Sequence, residues 1–185
     1  MSTKIEAGDD VVAFLKTQHQ EVKDLLEKVQ EARGEERKTA FYEIRRLLAV
    51  HETAEEEIVH PVAKRVLPNG ERIVEQRLEE ENAAKKALTE LEALDVDSPE
   101  FETQFATLKR NVIAHAESEE NEEFEMLGRE LDGERLQGMR KAAEIAESFA
   151  PTRPHAGVES AFANLIVGPF ASMLDRARDA LSHHH

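Results

Sequence analysis

Two predicted long helices each contain one copy of a short pattern in which a histidine precedes a glutamate by four residues. The first copy is His51 and Glu55, and the second is His115 and Glu119. Four residues of an α-helix turn through about 400°, so both side chains of a copy lie on one face, about one turn apart. An imidazole nitrogen and a carboxylate oxygen placed in this way can bind one metal ion. Each copy is therefore a candidate half of a metal site.

Both copies interrupt the apolar stripe along which their helix would pack into a core. Apolar residues at steps of three and four mark such a stripe. They are Ile44, Leu48, Ile58 and Val62 around the first copy, and Phe105, Leu108, Val112 and Met126 around the second. His19 and Glu81 occupy core positions of two other predicted helices. Because a carboxylate buried without a partner is costly, a bound metal ion would offset the burial of these groups.

Turn signals rich in Gly, Pro, Asn and Asp divide the sequence into four long helices and a C-terminal region. The first helix is predicted to start near Asp9 or Asp10 and to end before Gly34, and the others to span residues 36–66, 71–94 and 99–131. We therefore expect an all-α fold, an up-down-up-down four-helix bundle with additional C-terminal helices.

The predicted domain organisation follows from these helices. Residues 1–131 form the metal-binding bundle, and residues 132–182 form a helical extension that packs on the bundle or on a partner. Within this extension, helices are expected over about 134–149 and 158–181. Residues 183–185 are three histidines, which we interpret as the remnant of an expression tag.

The candidate metal ligands are expected to meet at one level of the bundle. In antiparallel neighbours, residues equally far from the shared turn lie at the same height, and here the mismatches amount to about one half-turn of helix. The six residues are His19, His51, Glu55, Glu81, His115 and Glu119. Three imidazoles and three carboxylates can bind two ions, and mixed nitrogen and oxygen donors suit non-haem iron, manganese or zinc. Positions left vacant could bind O2, peroxide or nitric oxide.

Composition excludes several other functions. The formal net charge of −15 disfavours binding to nucleic acid and to anionic membranes. The chain has no cysteine, which excludes disulfides, thiolate catalysis and iron–sulfur clusters. No apolar run approaches the roughly 20 residues of a membrane span, and the N-terminus lacks the apolar segment of a signal peptide. We therefore expect a cytoplasmic protein.

The order of these residues resembles that of the haemerythrin-like (HHE cation-binding) domain family over about residues 10–131. The resemblance implies a four-helix bundle that holds two iron ions joined by an oxo or hydroxo bridge. It also implies that five of the candidates are iron ligands, namely His19, His51, Glu55, His115 and Glu119. Zinc and manganese are the alternative occupants.

The chain departs from the family at Glu81, where the family usually supplies a histidine. An additional carboxylate adds negative charge and favours Fe(III) over Fe(II), which argues against reversible O2 carriage. The resemblance then implies oxidant handling or sensing, and peroxidase, catalase or oxidase-like activities are candidates. Because Glu79 and Glu80 adjoin Glu81, a shift of one residue in helix phase would exchange the ligand.

Two further interpretations remain open from the sequence. The first is a non-catalytic module in which a structural zinc or iron ion stabilises the fold, and the C-terminal amphipathic helix binds a partner or forms a homodimer. The second concerns Glu122, which is either close to the metal or at the solvated end of its stripe. His60 is predicted not to be a ligand, because it lies about 180° around the helix from His51.

Overall fold

A computed structural model describes residues 10–150, and these residues are helical apart from short turns. The helices are α1 (Val11–Glu31), α2 (Gly34–Ala54), α3 (His60–Val66), α4 (Gly70–Glu92), α5 (Pro99–Ser118), α6 (Glu125–Glu130) and α7 (Gly133–Ser148). Two π-helical segments, π1 (Glu55–Val59) and π2 (Glu119–Phe124), join α2 to α3 and α5 to α6 without a break. The predicted all-α fold is confirmed.

Side-chain caps start three of the helices where the sequence predicts a break. Asp10 accepts a hydrogen bond from the backbone N–H of Ala13, and Ser98 accepts one from Phe101. Pro99 occupies the first turn of α5, where its missing N–H costs nothing. Asp132 caps α7 in the same way as Asp10 caps α1.

The turn between α3 and α4 requires a glycine at residue 70. A Cβ atom at Gly70 would lie 2.2 Å from the backbone oxygen of Ala63, so a larger residue would force the two helices apart. Asn69 precedes it with a φ of 56°, which asparagine tolerates better than most residues. This turn therefore sets how closely α3 and α4 approach each other.

The long helices form a closed four-membered bundle. Helix α1 packs against α2 and α5, and α4 packs against α3 and α5. Helix α7 lies outside this ring and contacts α1, α2 and π1. The buried apolar side chains form two clusters, one rich in residues of α3 and α7 and the other near the opposite end of the bundle. The candidate metal ligands lie between them: along α1, His19 separates Leu15 of one cluster from Val22 of the other.

The π2 segment shifts the buried stripe by one residue relative to the sequence prediction, whereas Ile58 and Val62 of the first copy are buried as predicted. After Glu119, the predicted stripe continued through Glu122 and Met126, but the structure buries Glu123 and Leu127 completely. A π turn contains one more residue than an α turn, so everything beyond it rotates back by about 100°. Pro61 neither ends nor breaks the helix, because the π turn precedes it and the N–H of His60 donates to the carbonyl of Glu55, five residues back.

Among residues 10–150, no helix is long and apolar enough to span a membrane. The predicted C-terminal helix over 158–181 lies outside the described residues.

Candidate metal centre

The six residues predicted from the sequence meet inside the bundle. They form two of the three groups of potential ligand atoms found among the described residues, each with all of its atoms within 4.8 Å of one another. The first group contains His19, His51, Glu55 and Glu119, and the second contains Glu55, Glu81, His115 and Glu119. Glu55 and Glu119 belong to both groups. The two groups are therefore adjacent and share two carboxylates.

The spacing of the donor atoms is that of ligands around a shared ion. Nε2 of His51 lies 3.2 Å from Oε1 of Glu55, and Nε2 of His115 lies 3.2 Å from Oε1 of Glu119. Nε2 of His19 lies 3.1 Å from Nε2 of His51 and 3.3 Å from Oε2 of Glu119. Two donors bound at right angles to an ion at about 2.1 Å would be about 3.0 Å apart. The observed separations fit this geometry.

The carboxylates at the centre lie near imidazole nitrogens at 3.2–3.3 Å but accept no hydrogen bond of good geometry from the described residues. All four oxygens of Glu55 and Glu119 are buried and accept no hydrogen bond from a described residue, and the same holds for one oxygen of Glu81. Buried carboxylate oxygens are normally paired, because losing water without a new partner is costly. Cations between these oxygens would satisfy them. The residues therefore fit a metal-binding role.

Outer partners orient the three imidazoles. Nδ1 of His19 faces Oε1 of Glu120 at 2.8 Å, and Nδ1 of His115 faces Oε2 of Glu80 at 2.7 Å. A carboxylate only accepts, so each Nδ1–H donates outward and, in the neutral ring, the Nε2 lone pair points to the centre. Such outer hydrogen bonds fix the tautomer and the ring orientation that a metal ligand needs.

The third imidazole, that of His51, is held by a side chain that α7 orients in turn. Nδ1 of His51 lies 2.7 Å from Oε1 of Gln18, and the amide nitrogen of Gln18 donates to Glu147 at 2.6 Å. Because that donor bond fixes the amide orientation, the oxygen of Gln18 must accept from His51. In neutral rings, the Nε2 lone pairs of His19 and His51 would then face each other at 3.1 Å. A cation between them would turn this repulsion into attraction.

Burial and the close packing of charged groups shift the pKa values of the side chains at the centre. Burial, followed by the charges of Glu119 and Glu81, raises the pKa of Glu55 well above its usual range. Burial and then the neighbouring His19 lower the pKa of His51 to about 3, so this ring is neutral at pH 7 and able to bind a metal. For Glu119, burial acts in the opposite direction, but His115 and His19 hold its pKa well below the usual range.

Glu81 is the residue of its acidic run that reaches the centre. It is 1% exposed, whereas Glu79 is exposed and Glu80 is partly exposed. Glu80 instead accepts hydrogen bonds from Arg77 and His115. The structure therefore resolves the choice among these neighbours in favour of Glu81 for the buried position.

A further acidic group beside the centre is neutralised by a lysine. Glu52, Glu56 and Glu81 place ligand-type atoms close together. The ammonium group of Lys85 contacts Glu56 and lies 3.5 Å from Glu52. Burial raises the pKa of Glu52 to about 8, although Lys85 lowers it. Because the ammonium group of Lys85 already pairs with Glu52 and Glu56, these carboxylates are not a candidate position for a further ion.

Sequence reasoning missed the roles of His60 and Glu123. Both are buried, with Nδ1 of His60 lying 2.9 Å from Oε1 of Glu123 and Nε2 lying 2.7 Å from Oε1 of Glu81. Two carboxylate acceptors require two N–H donors, so His60 is an imidazolium. Burial opposes this charge, but Glu81 and Glu123 raise the pKa of His60 well above its usual value. His60 belongs to neither of the two ligand groups at the centre and acts as a clamp on Glu81.

An up-and-down helical bundle with a buried layer of imidazoles and carboxylates defines a class of bundle metalloproteins. The family model described as Hemerythrin HHE cation binding domain matches residues 10–127. The chain therefore belongs to the haemerythrin HHE cation-binding domain family, and its centre is that of a cation-binding domain.

One solved structure shows the same fold. It is the crystal structure of a hemerythrin HHE cation binding domain-containing protein from Mycobacterium kansasii, which is 18% identical in sequence with a TM-score of 0.67. The match covers 91% of this chain and 98% of the other. At this identity the likeness concerns the fold alone. A comparison with curated proteins gives no match.

Proposed function

We propose that the chain is a non-haem di-iron protein that binds or reacts with O2, peroxide or nitric oxide, and so handles or senses oxidants. The observation that carries the proposal is the pair of carboxylates shared by two donor groups. Among residues 10–150, nothing donates a hydrogen bond to any of the four buried oxygens of Glu55 and Glu119. One ion would satisfy only part of this set, whereas two ions spanned by both carboxylates would satisfy all of it.

Each residue has a defined part in holding the ions. Glu55 and Glu119 would bind both, His19 and His51 would complete one position, and Glu81 and His115 would complete the other. The nitrogen and oxygen donor set, which contains no sulfur, suits iron. Iron supplies redox chemistry and Lewis acidity to small oxygen- or nitrogen-containing ligands.

The two ion positions differ in a way that supports oxidant chemistry. The position of His19 and His51 has two imidazoles, whereas that of Glu81 and His115 has one imidazole and an additional carboxylate. Hard anionic oxygen donors favour the ferric state. His115 is also the most accessible of the cluster, with 15% of its side chain exposed, while Glu55 and Glu119 are fully buried. An external ligand therefore has its shortest approach at the His115 position.

Metal analysis and reactivity together test the proposal. We expect full-length protein loaded with iron to hold about two ions per chain, and its near-UV absorption to change between anaerobic and aerobic solution or on addition of peroxide or nitric oxide. Glu119→Gln should lower the iron content, and Glu117→Gln, at an exposed position of the same helix, should leave it unchanged. Iron-loaded protein that is inert towards all three ligands would contradict the proposal and favour a structural metal site.

A further inference from the structure

A cavity of about 280 Å³ lies directly beside the candidate metal centre. Its lining includes four residues that belong to the centre, namely His19, His51, Glu81 and His115. The exposed residues of its lining are Ala83 of α4 and Asn111 and Ala114 of α5. The cavity therefore opens to solvent between α4 and α5 and leads inward to the candidate ligands.

Small side chains keep this opening free. Ala83, Ala84 and Ala87 of α4 face the cavity across from Ala114 of α5. We refer to these four residues as the alanine gap. Longer side chains at these positions would extend into the space between the helices and close it. The opening between α4 and α5 therefore exists because these four positions carry alanine.

The inner wall of the cavity is apolar and belongs to the core. Val22, Leu48, Leu108 and Val112 line it, and each is at most 5% exposed. They come from three helices and pack in the same buried cluster, so the wall is held in place by the fold. An apolar wall of this kind does not hold water well, because water needs polar partners.

The cavity is much larger than a diatomic ligand or peroxide requires. A water molecule takes up about 30 Å³ of liquid, and an apolar protein cavity of about 150 Å³ is enough to bind benzene. The observed volume of about 280 Å³ therefore has room for a ring with substituents. A charged group would lose its hydration against the apolar wall of the cavity without gaining a partner there, which favours a neutral molecule.

We propose that this cavity is a binding site for a small, neutral, mainly apolar organic molecule of about one ring, held between the alanine gap and the metal centre. Its apolar part lies against Val22, Leu48, Leu108 and Val112, and its other end faces His115. Binding depends on the shape and lining of the cavity, and it does not depend on the redox reactivity proposed for the centre.

Fluorine NMR with fluorobenzene as the probe tests this site in the full-length protein. We expect saturable broadening of the fluorobenzene signal, both with the metal as purified and after chelation. Ala84→Leu should weaken binding by about tenfold or more, because the larger side chain fills the cavity. Ala106→Leu, at an exposed position of α5 outside the cavity, should not change it. In the chelated protein, 4-fluorobenzoate, which has the same ring with a negative charge, should bind at least about tenfold more weakly.

Circular dichroism and thermal melting check that the variants fold, and Ala87→Leu provides a second way to fill the cavity if Ala84→Leu does not. The inference is overturned if fluorobenzene shows no saturable broadening, or if a folded filled variant binds it as well as the unchanged protein does. Equal binding of 4-fluorobenzoate would refute the preference for a neutral ligand. Fluorobenzene binding to a protein whose iron is unreactive would support this site while contradicting the proposed function.

Discussion

His60 joins two carboxylates that would otherwise be buried and unpaired, so its replacement tests how the centre is supported. Its ring nitrogens lie 2.7 Å from Glu81 and 2.9 Å from Glu123, and all three side chains are at most 3% exposed. The change His60→Leu keeps an apolar side chain in the space but removes the imidazolium. We expect it to lower the free energy of unfolding, because two buried carboxylates then lose their shared cation.

The expected loss follows from the burial of all three partners. Removing one member of a buried ion pair costs about 3–5 kcal/mol. Burial already raises the pKa of Glu81, so this carboxyl group can take up a proton in the variant, and we expect the lower end, about 3 kcal/mol. In a chain of this length, that corresponds to a fall in Tm of about 6–12 °C. Urea unfolding at pH 7 with a chelator present measures it.

A double-mutant cycle separates the charge pairing from packing. Hydrogen bonds to charged groups contribute about 1.5–3 kcal/mol, so His60→Leu combined with Glu123→Leu should be more stable than the sum of the single losses by about that amount. A loss below about 1 kcal/mol for His60→Leu would refute the clamp. Additive losses in the cycle would show that His60 and Glu123 are not an ion pair.

The same variant distinguishes a clamp from a ligand. If His60 only positions Glu81, the His60→Leu variant should still bind two ions. Its metal affinity should be about 10–100-fold lower, which is the usual effect of replacing a residue that hydrogen-bonds to a metal ligand. Metal titration followed by elemental analysis measures this. Complete loss of one ion at saturating metal would instead make His60 a ligand.

Three further predictions concern the supports of the centre and the fold. Gln18→Leu should weaken metal binding by about 10–100-fold in titrations. The control Gln20→Leu, on the exposed side of α1, should not weaken it. Equal effects of the two changes would contradict the role of Gln18. In urea unfolding, Gly70→Ala should lose about 1–3 kcal/mol, whereas Gly128→Ala, which meets open space, should not destabilise. Metal at about 100 times its Kd should stabilise chelated protein by about 2.7 kcal/mol, and Glu119→Gln should remove most of this gain.

Much of the fold could be predicted because capping and periodicity act locally. Asp10, Ser98 and Asp132 cap helices in the structure where the sequence places helix starts or breaks. The six donor residues could be predicted to meet because they lie about equally far along the chain from the turns that join their helices. That argument needs only the rise of an α-helix and antiparallel neighbours, and errors of a few residues still leave long side chains within reach.

The partners around the donors could not be predicted because they depend on rotation and on contacts far apart in sequence. Glu120 reaches His19 across 101 positions of the chain, and Glu147 of α7 reaches Gln18 across 129. Acidic residues are so common here that the sequence does not single out these two. The π2 turn also contains one residue more than an α-helical turn, so the buried positions beyond Glu119 depart from the constant 3.6-residue period that the prediction assumed. The sequence contained one signal of the π2 turn. Phe124 and Leu127 are apolar, but they share a helix face with Val112 only if one additional residue is inserted between Val112 and Phe124.

The π turns explain why one repeated pattern produces two unlike halves. Each begins at the glutamate of its motif, and the inserted residue brings the side chain five positions later back to within about 40° of that glutamate. This position is His60 in the first copy and Phe124 in the second. His60 binds Glu81 through a charged hydrogen bond, whereas Phe124 stacks on the His19 ring at 5.6 Å between centroids. The donors near Glu81 thus have a charged neighbour at this position and those near His19 have an apolar one, so the two groups of donors have different electrostatic surroundings.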